Sequence, residues 1–151
     1  DIVLKVKEVL QTTKFPPEYL CLEITESTIM LQSMVDILTS LKSLGIKLII
    51  DDFGTGFSSL SSLHRYPIDS IKIDKAFIAG MMHSKKDTEI VKTIIAMGET
   101  LHMSVIAEGV ETRQQADKLK QLGCHFAQGF LWGIPSEKIE TQKNLLIRPV
   151  S

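Results

Sequence analysis

Acidic and amide side chains in this sequence recur where short apolar runs end. Glu23, Thr25 and Glu26 close the run Tyr19–Ile24, and Asp51 and Asp52 follow Ile46–Ile50. Lys72 and Asp74 belong to the end of Ser70–Ile73, Glu108 follows Ser104–Ala107, and Gln128 follows His125–Ala127. Glu23, Asp51, Asp52 and Glu108 brought into one mouth would raise one another's pKa values and resist ionisation. A hard divalent cation removes that repulsion, because Mg2+ and Mn2+ favour carboxylate, amide and water oxygens. Tandem aspartates plus two glutamates suit a pair of ions ~3.5–4 Å apart, the spacing for in-line displacement at phosphorus. Lys72 adds a movable cation close to an attacking water or a phosphate oxygen. The chemistry implied is phosphodiester hydrolysis. At any single position the competing reading is a helix cap or turn former; the recurrence at four run ends favours a site.

Such a site needs elements that bring the run ends together. The opening segment has helical spacing of apolar residues to Leu10, stopped by Pro16-Pro17. Tyr19–Ile24 reads as a buried strand, followed by a helix capped by Ser27 and ended at Gly45. The alternation then repeats. Ile46–Ile50 is a strand with a Gly-rich turn and a short helix around Ser59 to His64. Ser70–Ile73 is a strand and Asp87–Leu101 a helix. Ser104–Ala107 is a strand before a helix that starts at Thr112, with Gln115 at the capping-box position, and His125–Ala127 is the last strand. Five strand-helix units with crossover-length connections imply parallel strands, in a barrel or a doubly wound sheet. In a parallel barrel the carboxyl ends share one face, where active sites of that fold are built. Side chains two apart on a strand share a face, which pairs Lys72 with Asp74 and Glu23 with Thr25.

The totals are compatible with this. The chain has 151 residues, 44% hydrophobic and 23% charged, as in a globular domain. Net charge is -1, with no basic run to track a polymeric nucleic acid. An anionic ligand would therefore be held by metal ions or local donors. Cys21 and Cys124 have no partner at ligand spacing, read as small core residues, and fit a reducing cytoplasm. His64, His83, His102 and His125 are scattered and read as structural or surface residues. Phe53-Gly54-Thr55-Gly56 is either a phosphate cradle or a tight turn. No apolar stretch reaches the ~18 residues that cross a bilayer, so no membrane contact is expected of this segment. Asp1 opens directly into helical spacing, without an initiator Met or signal-peptide order. The expectation is one domain over 1–151, belonging to a longer protein and incomplete at its N-terminal side: an eight-unit barrel takes ~250 residues.

The motifs Leu22-Glu23-Ile24-Thr25-Glu26-Ser27, Ile50-Asp51-Asp52-Phe53-Gly54-Thr55-Gly56, Ile71-Lys72-Ile73-Asp74, Ala107-Glu108-Gly109-Val110-Glu111-Thr112 and Gln128-Gly129-Phe130 occur in this order. Together they resemble the EAL domain of bacterial cyclic-di-GMP phosphodiesterases. The resemblance implies a TIM-like (β/α) barrel, represented here by about five of eight units, and hydrolysis of cyclic-di-GMP to linear pGpG with two Mg2+ or Mn2+ ions. It implies metal ligation by Glu23, Asp51, Asp52 and Glu108, directly or through water, with Asp51 bridging the ions. It implies that Lys72 contacts the catalytic water, that Glu26 supports the loop after the Asp-Asp strand, and that Glu111 shares the catalytic set with them and with Glu108. Asp74, Gln128 and Gly129 match substrate-binding or supporting positions. A homodimer through this domain is also implied. The family's Glu-Ala-Leu strand and its Asn-bearing strand have no counterpart in this sequence, so the chain alone is expected to be inactive. The rival readings are a non-catalytic cyclic-di-GMP receptor and, without the resemblance, an enolase-like barrel.

Overall fold

The computed structural model describes residues 1–29, 31, 34–56 and 63–135. Helix α1, Ile2–Thr13, is capped by Asp1, whose carboxylate accepts from the Val3 N–H at 3.0 Å. It runs past Leu10 and ends at Lys14 in a left-handed conformation, after which Pro17–Tyr19 form a 3-10 turn. Strand β1, Cys21–Thr25, follows. Its flanking expectation, one long helix capped by Ser27, is corrected. A short helix α2 occupies Glu26–Ile29, and a separate α3 spans Met34–Ser43. Ser27 lies inside α2; the hydroxyl at its entrance is that of Thr25, 2.8 Å from Thr28 Oγ1 and 3.3 Å from Ser27 Oγ. Gly45 takes φ +89°, as expected of a residue just beyond a helix end.

Strand β2, Lys47–Phe53, extends three residues beyond the expected run and so contains Asp51 and Asp52. The short helix expected around Ser59 to His64 falls largely outside the described residues. Strand β3, Ser70–Ile73, matches expectation, and is followed by α4, Lys75–Gly80, which the apolar spacing did not announce. Helix α5, Lys85–Leu101, starts from Ser84, whose Oγ accepts from the Asp87 N–H at 3.1 Å. Strand β4, Ser104–Ala107, leads to α6, Arg113–Gln121, with the Thr112/Gln115 capping box formed. Strand β5 is Phe126–Ala127.

The strands form one parallel sheet in sequence order, β1-β2-β3-β4-β5. Thr25 pairs with Asp51, Phe53 with Ile73, Ile73 with Ala107, and Ala107 with Ala127, so the carboxyl ends lie along one rim. Leu48, Ile50, Ile71, Ile73 and Ala107 are fully buried, covered from the helices by Leu38, Val91, Ile94 and Leu119. Each such leucine, isoleucine or valine side chain contributes roughly 1.5–3 kcal/mol by leaving water. β1 is an edge strand and is not buried as expected: its pattern alternates between exposed and half-buried, and Cys21 is exposed rather than core. Cys124 is buried.

At the opposite, amino-terminal rim, Asp69 ties three strands and a helix together. Its carboxylate meets Lys42 Nζ at 2.5 Å and accepts from the Leu48 N–H at 2.9 Å; its carbonyl accepts from Ser104 N at 3.0 Å. No helix among the described residues is long and apolar enough to cross a membrane.

Candidate active site

Lys72 stands at the centre of the carboxyl rim. A strand residue on a buried sheet has no water to hydrate an ammonium, and its side chain is only 5% exposed. Three carboxylates from three other elements take that role. Nζ lies 2.6 Å from Glu108 Oε1, 2.7 Å from Glu23 Oε1 and 3.4 Å from Asp51 Oδ1. Burial on its own would lower the lysine's pKa, but the hydrogen bonds to Glu108 and Glu23 and the nearby charges outweigh it and hold it above the ordinary value. Gln128 Nε2 donates to the same Glu108 Oε1 at 2.6 Å, bringing β5 into the group.

The tandem aspartates do not share an orientation. Between Ile50 and Phe53 the β2–β3 register slips, and Asp52 takes φ +52°. A single residue in this region lets both carboxylates reach the rim despite strand alternation. One oxygen each from Asp51, Asp52 and Glu108 lie within 4.8 Å of one another. Lost solvation and then the charges of Asp51 and Asp74 push the Asp52 carboxyl up, against the opposing pull of Lys72. Oxygen-only donors, clustered and mutually repelling, fit a hard divalent cation.

Glu23 lies outside that trio and reaches the site through Lys72. Glu26 is buried, and its Oε2 accepts from both the Gly54 and Gly56 N–H groups at 3.1 Å. The open reading of the Gly-rich turn is thereby resolved for these two donors: they bind the protein's own carboxylate. At Gly54, φ is +99° and an added Cβ would crowd the Phe77 ring, so glycine is required there. Asp74 lies just past β3 and caps α4, accepting from Ala76 N at 2.8 Å, while its charge is felt by Asp52. Glu111 has an exposed side chain, and its N–H donates to Gln115 Oε1 at 2.8 Å. Gly129 sits where a Cβ would overlap the Val110 backbone, so its place is set by close packing of two turns.

Sequence reasoning missed Phe77, which packs at Gly54, and the second hydrogen bond of Gln115. The cap at Asp74 was the available signal for the first; the second had none beyond the capping box.

A family model described as EAL domain matches residues 1–135. The chain is 44% identical over 136 residues to the bifunctional diguanylate cyclase/cyclic di-GMP phosphodiesterase MucR of Pseudomonas aeruginosa, covering 89% of this chain and 20% of that protein. The solved structure of the PaMucR phosphodiesterase in complex with c-di-GMP superposes with a TM-score of 0.88 at 42% identity, over 92% of this chain and 57% of that one. A manganese/cy-diGMP complex of BlrP1 from Klebsiella pneumoniae superposes at 0.81 with 33% identity, over 88% of this chain and 34% of that one. The chain thus spans about a fifth of the length of the first curated relatives it matches. Its fold is that of a TIM-like barrel, represented by an open five-stranded arc.

Proposed function

This chain belongs to the EAL domain family, and on that premise we propose that the protein containing it hydrolyses one phosphodiester bond of cyclic-di-GMP to give linear pGpG. The observation that carries the reading is the meeting of Asp51, Asp52 and Glu108 oxygens within 4.8 Å beside the Lys72 ammonium. The relatives named for phosphodiesterase activity and the neighbour solved with c-di-GMP support the substrate class.

Asp51, Asp52 and Glu108 would hold divalent ions, Mg2+ or Mn2+, with Glu23 joining them from β1. When bound, the ions supply charge neutralisation at the phosphoryl oxygens and acidify the attacking water. Lys72, fixed by carboxylates on either side, orients that water and presents a positive charge to the phosphate. A carboxylate of the rim takes the proton, the water oxygen bonds to phosphorus, and the P–O3′ bond breaks in line, the departing O3′ taking up a proton to become the free hydroxyl of pGpG. Glu26 holds the Gly54–Gly56 turn under the substrate. Gln128 keeps Glu108 aimed at the rim, while Asp74, Gly129 and Glu111 frame its outer wall.

Residues 1–151 act as part of one EAL domain that works as a homodimer in the cytoplasm. By itself this chain is inactive, because its sequence contains neither the Glu-Ala-Leu strand nor the Asn-bearing strand that would supply the family's remaining ligands. The decisive assay measures cyclic-di-GMP hydrolysis by the full-length protein with Mg2+ or Mn2+, and its abolition by Asp51→Ala. A full-length protein that binds the ions but leaves the dinucleotide intact would overturn the proposal.

A further inference from the structure

The turn from Glu108 to Thr112 places the rim carboxylate of Glu108, and its backbone donors are satisfied in an unusual way. Glu108 N–H donates to the Ile73 carbonyl at 3.2 Å and Val110 N–H to the Gln128 carbonyl at 3.1 Å. The next two N–H groups, of Glu111 and Thr112, both donate to one side-chain atom, Gln115 Oε1, at 2.8 and 3.0 Å. Gln115 is buried, and its own N–H donates to Thr112 Oγ1 at 3.2 Å. An ordinary capping box needs only the Thr112 half of this arrangement. The bond to Glu111 lies one residue further into the turn, on the side of the rim.

We infer that Gln115 is a positioning residue for the metal-binding rim, setting the Glu108–Glu111 turn through its doubly used side-chain carbonyl. The inference rests on the metal-binding reading proposed above. The route from Gln115 to the rim is continuous and short. Val110, between the anchored Glu111 and Glu108, is fully buried and bonds the Gln128–Leu131 turn on both sides, receiving Leu131 N–H at 3.0 Å on its carbonyl. Gln128 in turn donates to Glu108 Oε1, the oxygen that also meets Lys72. A turn that shifts at Glu111 therefore shifts Glu108 relative to Asp51 and Asp52. Gly109, at φ +68° and closely packed against Lys75, leaves the turn little room to compensate.

The test is Mn2+ binding by the full-length protein, read from the fall in the free Mn2+ electron paramagnetic resonance signal. Gln115→Ala leaves two donors without their acceptor, and its Mn2+ affinity falls about tenfold, as for partners that orient metal ligands. Gln115→Glu keeps an acceptor at the same reach and restores the affinity. Ser84→Ala removes the N-cap of α5, which takes no part in the hydrogen-bonded route from Gln115 to Glu108; it lowers the unfolding midpoint and leaves Mn2+ affinity unchanged. Should Gln115→Ala fail to fold, Gln115→Asn, one methylene too short, is read in the same way. Wild-type affinity in the shortened or truncated variant, or an equal loss in Ser84→Ala, overturns the inference alone. A wild-type full-length protein that binds no Mn2+ overturns the metal-binding reading itself, and the role of Gln115 falls with it.

Discussion

Lys72 Nζ lies 2.6 Å from Glu108 Oε1, so a β3 ammonium is fastened to the turn that follows β4. The same ammonium reaches Glu23 at 2.7 Å and Asp51 at 3.4 Å, which makes it the shared counter-charge of the rim. Lys72→Met therefore leaves carboxylates facing one another with nothing between them. Breaking a fully buried pair costs about 3–5 kcal/mol. Glu23 is half exposed and can rehydrate, so a loss of about 2 kcal/mol is expected in urea unfolding. Mn2+ should recover part of this loss in the variant, because an ion that binds only the folded chain stabilises it by mass action.

Asp51 and Asp52 differ in what they touch, and Mn2+ should register both. Asp51 lies beside Lys72, whereas Asp52 leans towards Asp74. Each offers an oxygen to the same trio with Glu108. Asp51→Asn and Asp52→Asn should each weaken Mn2+ binding by more than about tenfold, since even outer partners of metal ligands cost that much. Calorimetric titration of the full-length protein measures it; an unchanged affinity in either variant removes that residue from the ligand set.

Glu26 should be felt first in the turn it holds. Its Oε2 accepts from Gly54 and Gly56 across nearly thirty residues of sequence, from a buried position. Glu26→Ala should cost about 1–3 kcal/mol, the range for leaving buried donors unpaired. Amide hydrogen exchange at Gly54 and Gly56 should accelerate by more than exchange in β3, separating a loosened turn from global unfolding.

How much of this was legible in the sequence depended on how local the causes are. Ser70–Ile73 and Ser104–Ala107 were read with their observed bounds, because each is a short apolar run closed by polar residues. The Thr112/Gln115 box is a four-residue signal and was read correctly. The end of β2 was not: the register slip beside Asp52 is set by pairing with β3, which no local pattern carries. The burial of β1 was overestimated because an apolar run does not reveal whether a strand has neighbours on both sides. Asp69 escaped notice because its partner Lys42 lies 27 residues away, at the rim opposite the motifs. The grouping of Asp51, Asp52 and Glu108 was recoverable only through the inference that all strands are parallel.

The two edges of the sheet lead to a prediction about association. β1 and β5 are its terminal strands, and near the β5 edge Phe126, Phe130, Trp132 and Ile134 are exposed. Strand edges that are unpaired among the described residues, beside exposed apolar side chains, are templates for pairing with another chain. Light scattering of the purified chain should show a mass above 16.9 kDa that falls on dilution. Phe130→Lys together with Ile134→Lys should shift the population towards monomer.

Asp69 offers a pH-dependent test of the opposite rim. Burial alone would push its carboxyl up, but the Lys42 hydrogen bond and the Leu48 N–H, with the Lys42 and Lys47 charges, hold it below the usual carboxylate range. The folded state thus binds this proton more weakly than the unfolded chain, whose Asp titrates near ~3.9. Stability from Asp69 is therefore complete above that value and fades as pH falls through the lower folded value. Asp69→Asn should lose about 2 kcal/mol at neutral pH, within the range for charge-assisted bonds. The gap between variant and wild type should narrow below about pH 4. Urea unfolding at neutral and acid pH measures both quantities. A gap that stays constant with pH would mean that the asparagine disturbs packing rather than the ion pair, since the variant differs from the wild type by this one carboxylate.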